Sequence, residues 1–397
     1  MNARILLIPC LMFGFAGFAR TTHAQLSEGF DHFYNLEYDE AITAFREMTH
    51  EQPESAAARN HLAQAILYRA MFHAGALESE LVSGTNPFLR RPKMNPSPED
   101  EKLFDDSIAR SISISEARLQ ADPDETRALY ELGVAYGLRA NYNFLVRKAW
   151  FDALRDATRA RKLHSRVTQL NPRMVDARLV QGVHDYVVGS LPWHVKMLGF
   201  LVGFRGDKAL GIRTLEYVAE HGDVNRIDAQ ILLCALYRRE RDVKRAVPLL
   251  LGLIGQFPRN YILRFELVQM YSDLGDKKGA LAAVHKIEEM RAAGAFGYTN
   301  LPQEKIYYAR GTVQFWYNDL DRALDNMKRV AARSGVLDLN TGTYAWLRMG
   351  QIYDLKGQRT HAVSAYQTAI RIAPESDAAR LSKRYLSEPY RRKKQGT

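Results

Sequence analysis

Residues 343–376, TYAWLRMGQIYDLKGQRTHAVSAYQTAIRIAPES, decide the fold of this 397-residue chain. Gly350 and Ala362 are small residues twelve positions apart, a spacing that lets two antiparallel helices approach each other closely. Pro374 ends the second helix, because proline lacks an amide hydrogen and clashes with the preceding turn. The stretch therefore predicts one helical hairpin. Its other characteristic positions are Trp346, Met349, Tyr353, Gly357, Tyr366 and Ala369.

The same spacing recurs along the chain, which is typical of a repeat architecture. In the unit 227–260 Cys234 stands in the glycine position, so we interpret it as a small core residue and not as a nucleophile. The units 261–294 and 304–337 follow the same frame. The N-terminal copy of the frame consists of Gly29, Ala41, Phe45, Met48 and Pro53.

These units resemble the tetratricopeptide repeat, a helical hairpin of 34 residues. The resemblance implies an all-α, right-handed superhelical solenoid of antiparallel helix hairpins. We expect about eight hairpins and a terminal capping helix from Ser376 to Leu386. No stretch alternates with period two, so nothing in the sequence predicts strands. Each hairpin should bury its apolar face only against its neighbours in the chain.

Two hairpins in the middle should have elongated helices. Gly133 and Ala160 are 27 positions apart, and so are Gly182 and Ala209. Both gaps exceed the regular spacing by 15 residues, which is about four helical turns. Two extra turns on each helix would absorb this excess, and the equal excess predicts two long hairpins that pack against each other.

A long loop interrupts the N-terminal half. Ser55–His73 reads as one helix and Pro98–Gln120 as the next, with a loop rich in glycine and proline at 83–98 between them. Loops of this length are usually functional or mobile, and both interpretations stay open. We divide the chain into N-terminal helical repeats at 25–223 and regular tetratricopeptide repeats at 224–397, the latter with a C-terminal helix and a basic tail.

The first 24 residues read as a cleavable signal peptide. Arg4 precedes an apolar run, Ile5–Phe18, and residues 22–24 form a small-x-small cleavage site. The run is too short to span a bilayer of about 30 Å. We therefore expect a periplasmic or secreted protein that starts at Gln25 and has Cys234 as its single cysteine.

A second apolar stretch, Val187–Phe204, has two open interpretations. It is expected to be the buried part of a long hairpin, because His194 and Lys196 would be costly in the middle of a membrane span. Alternatively, it contacts a membrane surface. Together with the basic run 391–394, it supports the alternative function of a membrane-surface or envelope-associated structural protein with peripheral membrane contact.

Residues 191–222, which include GFRGDK at 203–208, resemble a segment of secreted bacterial tetratricopeptide proteins. They are more distantly similar to a eukaryotic tetratricopeptide family linked to inclusion-body clearance. The resemblance implies a scaffold role and no reaction. The glycines of GFRGDK do not have the spacing of a phosphate-binding loop, so we read it as a turn with Asp207 as the N-cap of the next helix.

The sequence presents no candidate catalytic or metal-binding residues. His184, His194 and His221 form neither an HExxH motif nor an i, i+4 pair. A GxSxG motif is likewise missing from the sequence. We expect no enzymatic activity, no cofactor and no metal. A nucleic-acid partner is also disfavoured, because the net charge of +10 forms no long basic stripe.

The concave groove is the remaining candidate site. In tetratricopeptide proteins the second, fifth, ninth and twelfth positions of each unit face this groove. Aromatic and arginine side chains there are typical of protein-binding surfaces. The resemblance thus implies a scaffold that binds a protein or peptide partner, unless these side chains pack against each other or a terminal helix. With the predicted signal peptide, we expect this scaffold to be exported. The candidate partner-binding residues are Tyr130, Arg238, Phe265, Gln269, Tyr308, Phe315, Tyr344 and Gln351.

Overall fold

A computed structural model describes residues 26–77, 94–190, 206–335 and 337–392. Within these ranges the regular structure is helical and no strand occurs, which confirms the predicted all-α class. The predictions for 1–24, for most of the loop 83–98, for 191–204 and for the tail beyond 392 lie outside the described residues. The α-helices are α1 (26–34), α2 (Tyr38–Glu51), α3 (Ala56–His73), α4 (Pro98–Ala121), α5 (Thr126–Tyr142), α6 (Trp150–Leu170), α7 (Arg178–Gly189), α8 (Lys208–His221), α9 (Arg226–Arg239), α10 (Val243–Gln256), α11 (Tyr261–Asp273), α12 (Lys277–Ala292), α13 (Gln303–Trp316), α14 (Leu320–Ala331), α15 (Leu339–Leu355), α16 (Arg359–Ile372) and α17 (Asp377–Ser387).

Consecutive helices pair as hairpins, which we number from hairpin 1 (α1–α2) to hairpin 8 (α15–α16). Each hairpin packs on the next along the chain, as expected for a helical solenoid. The last helix, α17, packs on α15 and α16 and covers the end of the array.

Polar side chains cap the helices where the sequence predicts their starts. Ser55 Oγ accepts a hydrogen bond from Ala58 N at 3.2 Å. Asp207 Oδ1 accepts from Leu210 N at 2.9 Å, which confirms the predicted cap after GFRGDK. These caps satisfy amide groups that have no acceptor inside the first turn of a helix.

Small residues lie where the two helices of a hairpin touch. A Cβ atom at Gly350 would overlap the ring of Tyr366 on the second helix. Cys234 is buried with its Sγ 4.0 Å from the Ala246 carbonyl oxygen, so it fills the glycine position of its unit. These contacts confirm the repeat frame and the interpretation of Cys234 as a core residue.

Hairpin 3 is elongated, as predicted from the spacing of Gly133 and Ala160. A five-residue π-helical turn, Asn143–Arg147, extends α5, and α6 runs for 21 residues. Gly133 faces the ring of His164, and a Cβ at Gly137 would lie 3.9 Å from the Cβ of Ala160. Gly133 thus meets the residue four positions after Ala160, as Gly350 meets Tyr366 four positions after Ala362, so the repeat frame holds in this hairpin.

The prediction of elongated helices is wrong for hairpin 4, because α7 has 12 residues and α8 has 14 and the extra residues lie between them in the sequence. A different small residue makes the close contact in this hairpin. Ala209 is exposed, whereas Gly211 is buried against the backbone of Tyr186. A Cβ on Gly182 would meet the Leu215 side chain at 3.0 Å. The assignment of Ala209 to the frame is thus wrong, because it lies in the first turn of α8, on the solvent side.

Hairpin 1 also contacts hairpins far away in the sequence. Asn260 Nδ2 donates to the Tyr34 carbonyl oxygen at 2.7 Å, and Tyr34 OH donates to Asp228 Oδ1 at 3.1 Å. The rings of Tyr34 and Phe257 lie 5.0 Å apart. The expectation that hairpins pack only on chain neighbours is therefore wrong, because the superhelix curls until hairpin 1 meets hairpin 5.

The connection between α3 and α4 is described at its two ends. At the end that leads into α4, Met94 is buried, and Ser97 Oγ caps α4 by accepting from Asp100 N at 3.1 Å. The functional role of the loop at 83–98 and the division of the chain at residue 223 stay predictions. A continuous apolar cluster includes residues on both sides of that division.

Candidate functional site

Five of the predicted groove residues keep part of their side chain accessible. They lie on the first helices of hairpins 3, 6, 7 and 8, and the aromatic ones also contact the apolar core. This arrangement leaves a partly exposed row of rings and one amide group along the array. The residues are Tyr130, Phe265, Gln269, Tyr308 and Tyr344.

Phe315 and Gln351 do not line an open surface. Phe315 is 0% exposed, with the Arg348 guanidinium 4.4 Å from its ring centroid and the Tyr390 ring 6.1 Å away. Gln351 is buried and its Oε1 accepts from Arg348 Nη1 at 2.8 Å. The expectation that these two groove residues are accessible is wrong, because Arg348 contacts both and Tyr390 and Arg392 also contact Phe315.

Arg238 joins two successive hairpins. Its Nε donates to Asp273 Oδ2 at 2.7 Å, and its Nη1 donates to Glu266 Oε1 at 3.2 Å. The side chain is half-buried between these carboxylates. Arg238 therefore fixes hairpin 5 against hairpin 6, and a partner would contact an already neutralised guanidinium.

Asp228 is an inner-face residue that the sequence analysis missed. It occupies the second position of the unit 227–260, so the repeat frame itself was the signal that could have found it. Asn225, one turn earlier, donates its Nδ2 to Tyr130 OH at 3.0 Å. Tyr34 of hairpin 1 also donates to Asp228 of hairpin 5. Together with Tyr130 of hairpin 3, these residues form one cluster on the inside of the superhelix.

The surroundings of Asp228 disfavour its negative charge. Burial, assisted by the nearby Asp176 carboxylate, raises the pKa of Asp228 to about 6, and the hydrogen bond from Tyr34 opposes this shift. Burial also raises the pKa values of Tyr34 and Tyr130. Over the described ranges no cation pairs with Asp228. The cluster can therefore accept a hydrogen bond or a cationic group.

A cavity of about 460 Å³ lies beside hairpin 1, between α3, α11 and α13. Aromatic rings of Phe72 and Tyr261 contribute to its wall. Charged groups at its rim are already paired, since Lys305 Nζ lies 3.1 Å from Asp338 Oδ2 and Arg69 pairs with Asp39. The cavity therefore has a mixed lining of aromatic and polar side chains, with more acidic than basic groups.

Cys234, the candidate metal ligands and the longest helices bear on catalysis and on membrane insertion. Burial raises the pKa of the Cys234 thiol to about 12, so the reactive thiolate is scarce. In the part of the chain that the structure describes, no group of three or more histidine, cysteine or acidic side chains could hold a metal ion. None of the described helices combines the length and apolar character needed to cross a bilayer.

The tip of hairpin 3 exposes large apolar side chains. Phe151 is 91% exposed, Leu154 is 53% exposed and Trp150 is 38% exposed. Lys148 lies beside them, with its Nζ 5.8 Å from the Trp150 ring centroid. Exposed rings next to a lysine are typical of surfaces that contact proteins or membrane interfaces.

Models of the tetratricopeptide repeat match the sequence near both ends. One matches residues 26–79 and another matches residues 343–376, the stretch that decides the fold. A comparison with curated proteins finds no match.

Solved structures similar to this chain have low sequence identity to it. Yeast Tom70 is 11% identical, with 94% of this chain and 98% of that chain covered and a TM-score of 0.38. A human IFIT1 dimer with m7Gppp-AAAA is 14% identical, with 95% and 86% covered and a TM-score of 0.47. A tetratricopeptide repeat protein from Parabacteroides merdae is 12% identical, with 78% and 92% covered and a TM-score of 0.31. This chain therefore contains tetratricopeptide repeats, which match at residues 26–79 and 343–376 within an array of stacked helical hairpins.

Proposed function

We propose that this protein is an exported, non-catalytic scaffold that binds a segment of a protein partner along its inner face. Tetratricopeptide repeats imply a protein-interaction scaffold. The observation that carries the proposal is the pair Phe265 and Gln269, half-exposed one turn apart at the fifth and ninth positions of α11. A ring supplies an apolar anchor and an amide supplies a donor and an acceptor for a peptide backbone.

The test compares partner recovery by inner-face and outer-face variants. Wild-type protein, Phe265→Ala plus Gln269→Ala, and the control Tyr217→Ala are cross-linked in the native compartment and purified. Tyr217 is 42% exposed on α8, away from the predicted groove positions. The double variant should lose at least about tenfold of the specific partner, since anchors of this type contribute about 2 kcal/mol or more. Unchanged recovery would contradict binding on the inner face.

Export is supported by the sequence of residues 1–24, with its basic start, apolar run and small-x-small site. We expect intact mass analysis of the native protein to give a chain beginning at Gln25. The control is Ala24→Arg, which removes the small residue before the cleavage point and should leave a longer chain in the membrane fraction. A native chain that retains Met1 would contradict cleavage.

A second candidate function, peripheral membrane contact, is favoured by the exposed Phe151, Leu154 and Trp150 beside Lys148. Flotation with vesicles that contain anionic lipid tests it. Phe151→Ser plus Leu154→Ser should abolish flotation, whereas Leu251→Ser, which alters an apolar residue 45% exposed on α10, should not. Equal flotation of both variants would contradict a membrane role of this tip.

A further inference from the structure

The last helix is followed by residues that fold back onto the repeats. α17 ends at Ser387, and Glu388 is extended with φ −118° and ψ 111°. This conformation is expected because the next residue is Pro389, which disfavours the helical region before it and cannot continue the helix. We call residues 388–392 the C-terminal segment. It lies against the ends of α13 and α15.

Tyr390 makes the first anchor of the C-terminal segment. Its backbone N donates to Asp354 Oδ2 at 2.7 Å, and its ring lies 5.2 Å from the Tyr385 ring. Asp354 also accepts from Tyr366 OH at 2.8 Å and from Arg359 Nη1 at 2.9 Å. Two donors outside the C-terminal segment therefore hold this buried carboxylate in place as an acceptor for an incoming backbone amide.

Arg392 makes the second anchor. Its Nη1 donates to the Trp316 carbonyl oxygen at 3.3 Å and its Nη2 donates to the Phe315 carbonyl oxygen. The guanidinium also lies 5.2 Å from the Phe315 ring centroid. Carbonyls at the end of a helix lack helical donors and form the negative end of its dipole, so a cation is favoured there. Arg391, between the two anchors, is exposed.

Both anchors reach the twelfth position of a repeat unit. Phe315 is the twelfth residue of 304–337, and Asp354 is the twelfth residue of 343–376. This is one of the four positions that face the groove in tetratricopeptide proteins. The C-terminal segment thus occupies one end of the predicted groove, which explains why Phe315 is buried.

We infer that the ends of α13 and α15 form a peptide-binding site for an extended segment with an aromatic residue followed two positions later by arginine, and that the chain's own C-terminal segment fills this site until a partner segment replaces it. The inference rests on the proposed function for the existence of a partner. Recognition uses the Asp354 carboxylate for a backbone amide, the Phe315 and Tyr385 rings for the aromatic side chain, and the α13 carbonyls for the guanidinium.

The test uses a fluorescent peptide of residues 386–394, LSEPYRRKK, and the full-length chain. Anisotropy titrations compare wild-type protein with Tyr390→Ala plus Arg392→Ala. The double variant should bind the peptide at least about tenfold more tightly, because an attached segment competes at high effective concentration in the wild type. Equal affinity for the two chains would overturn the occlusion.

Two further peptides test the chemistry of the site. An Arg392→Ala peptide should bind the double variant at least about tenfold more weakly, whereas an Arg391→Ala peptide, which loses the same charge, should bind as the parent does. Equal weakening of both would show attraction by charge alone and would overturn the inference. If the double variant fails to fold, a chain that ends at Ser387 replaces it. Absence of peptide binding refutes this site and leaves the test at Phe265 and Gln269 unaffected.

Discussion

Arg259 Nε lies 2.7 Å from Glu37 Oε1, although the two residues are 222 positions apart in the sequence. The same side chain also donates to Asp31, and the Arg259 backbone N donates to Asn35 Oδ1 at 3.0 Å. Three acceptors from hairpin 1 thus converge on one residue of the turn after α10. Hydrogen bonds between charged groups are stronger than neutral ones, so Arg259 contributes strongly to holding hairpin 1 against the turn after α10.

Replacing Arg259 should therefore destabilise the whole fold. We expect Arg259→Met to lower the free energy of unfolding by about 1–3 kcal/mol, because Glu37 is half-buried and would lose its cationic partner. Urea denaturation followed by circular dichroism measures this. The control Arg173→Met alters an exposed arginine and should change stability by less than about 0.5 kcal/mol. Equal losses for the two variants would contradict the fastening role.

The close approach of helices at Gly350 predicts opposite effects of the same substitution at two glycines. Gly350→Ala should destabilise the protein by about 1–3 kcal/mol, since the new Cβ overlaps the Tyr366 ring, which Asp354 holds by a hydrogen bond. Gly252→Ala on the exposed side of α10 should stabilise it by about 0.5–1 kcal/mol, because nothing lies within 4 Å of the new Cβ. Thermal and urea melts decide the signs. Stabilisation by Gly350→Ala would contradict the frame.

Asp228 predicts a dependence of stability on pH. Its pKa rises from 3.8 to about 6 on folding, so the folded state binds the proton more tightly and the free energy of unfolding falls as the pH rises from about 4 to about 6. Relative to the wild type, Asp228→Asn should gain up to about 3 kcal/mol of stability between pH 4 and pH 7.

His61 changes the stability in the opposite direction, because burial lowers its pKa to about 4 and stability therefore rises with pH. This contribution is the same in the wild type and the variant, so comparing them at each pH cancels it. Asp223→Asn, on an exposed turn, is the matched control and should show no such change with pH. A stability difference for Asp228→Asn that stays constant over this range would contradict the raised pKa.

Cys234 predicts a simple count of reactive thiols. In the folded protein it should not react with a thiol reagent, because burial raises its pKa to about 12 and the thiolate is the nucleophile. In denaturant, one thiol should titrate if residues 1–24 have been removed, and two if Cys10 is retained. Phe151→Cys, at a position 91% exposed, is the positive control and should react in the folded state. Rapid reaction of Cys234 in native protein would contradict its core position.

The periodic features of the fold were predictable because each depends on residues close in sequence. Gly350 and Ala362 define the close approach of the two helices in hairpin 8. In hairpin 4, Asp207 caps α8 by accepting from an amide three residues ahead. Contacts such as Tyr34 with Asp228 were not predictable in this way. They depend on how far the superhelix curls, which accumulates from small rotations at every hairpin and leaves no local pattern.

The candidate site was predictable in outline for the same reason. The frame placed Phe265 and Gln269 on the inner face, and the structure leaves both half-exposed. It could not show that Tyr390 and Arg392 return to cover Phe315, because a covering segment obeys no repeat. The repeat frame also predicts that Asp228, the second residue of its unit, faces the groove. It was not among the candidate residues because a single carboxylate does not resemble an aromatic anchor.

The fastening of hairpin 1 by Arg259 and Asn260 also governs how the molecule comes apart. A linear repeat array frays from both termini, one module after another. Here hairpin 1 cannot detach without also losing its hydrogen bonds to the turn between hairpins 5 and 6, so hairpins 1 to 5 should unfold as one cooperative unit. The independent loosening that a linear repeat protein shows at its first hairpin should therefore be absent.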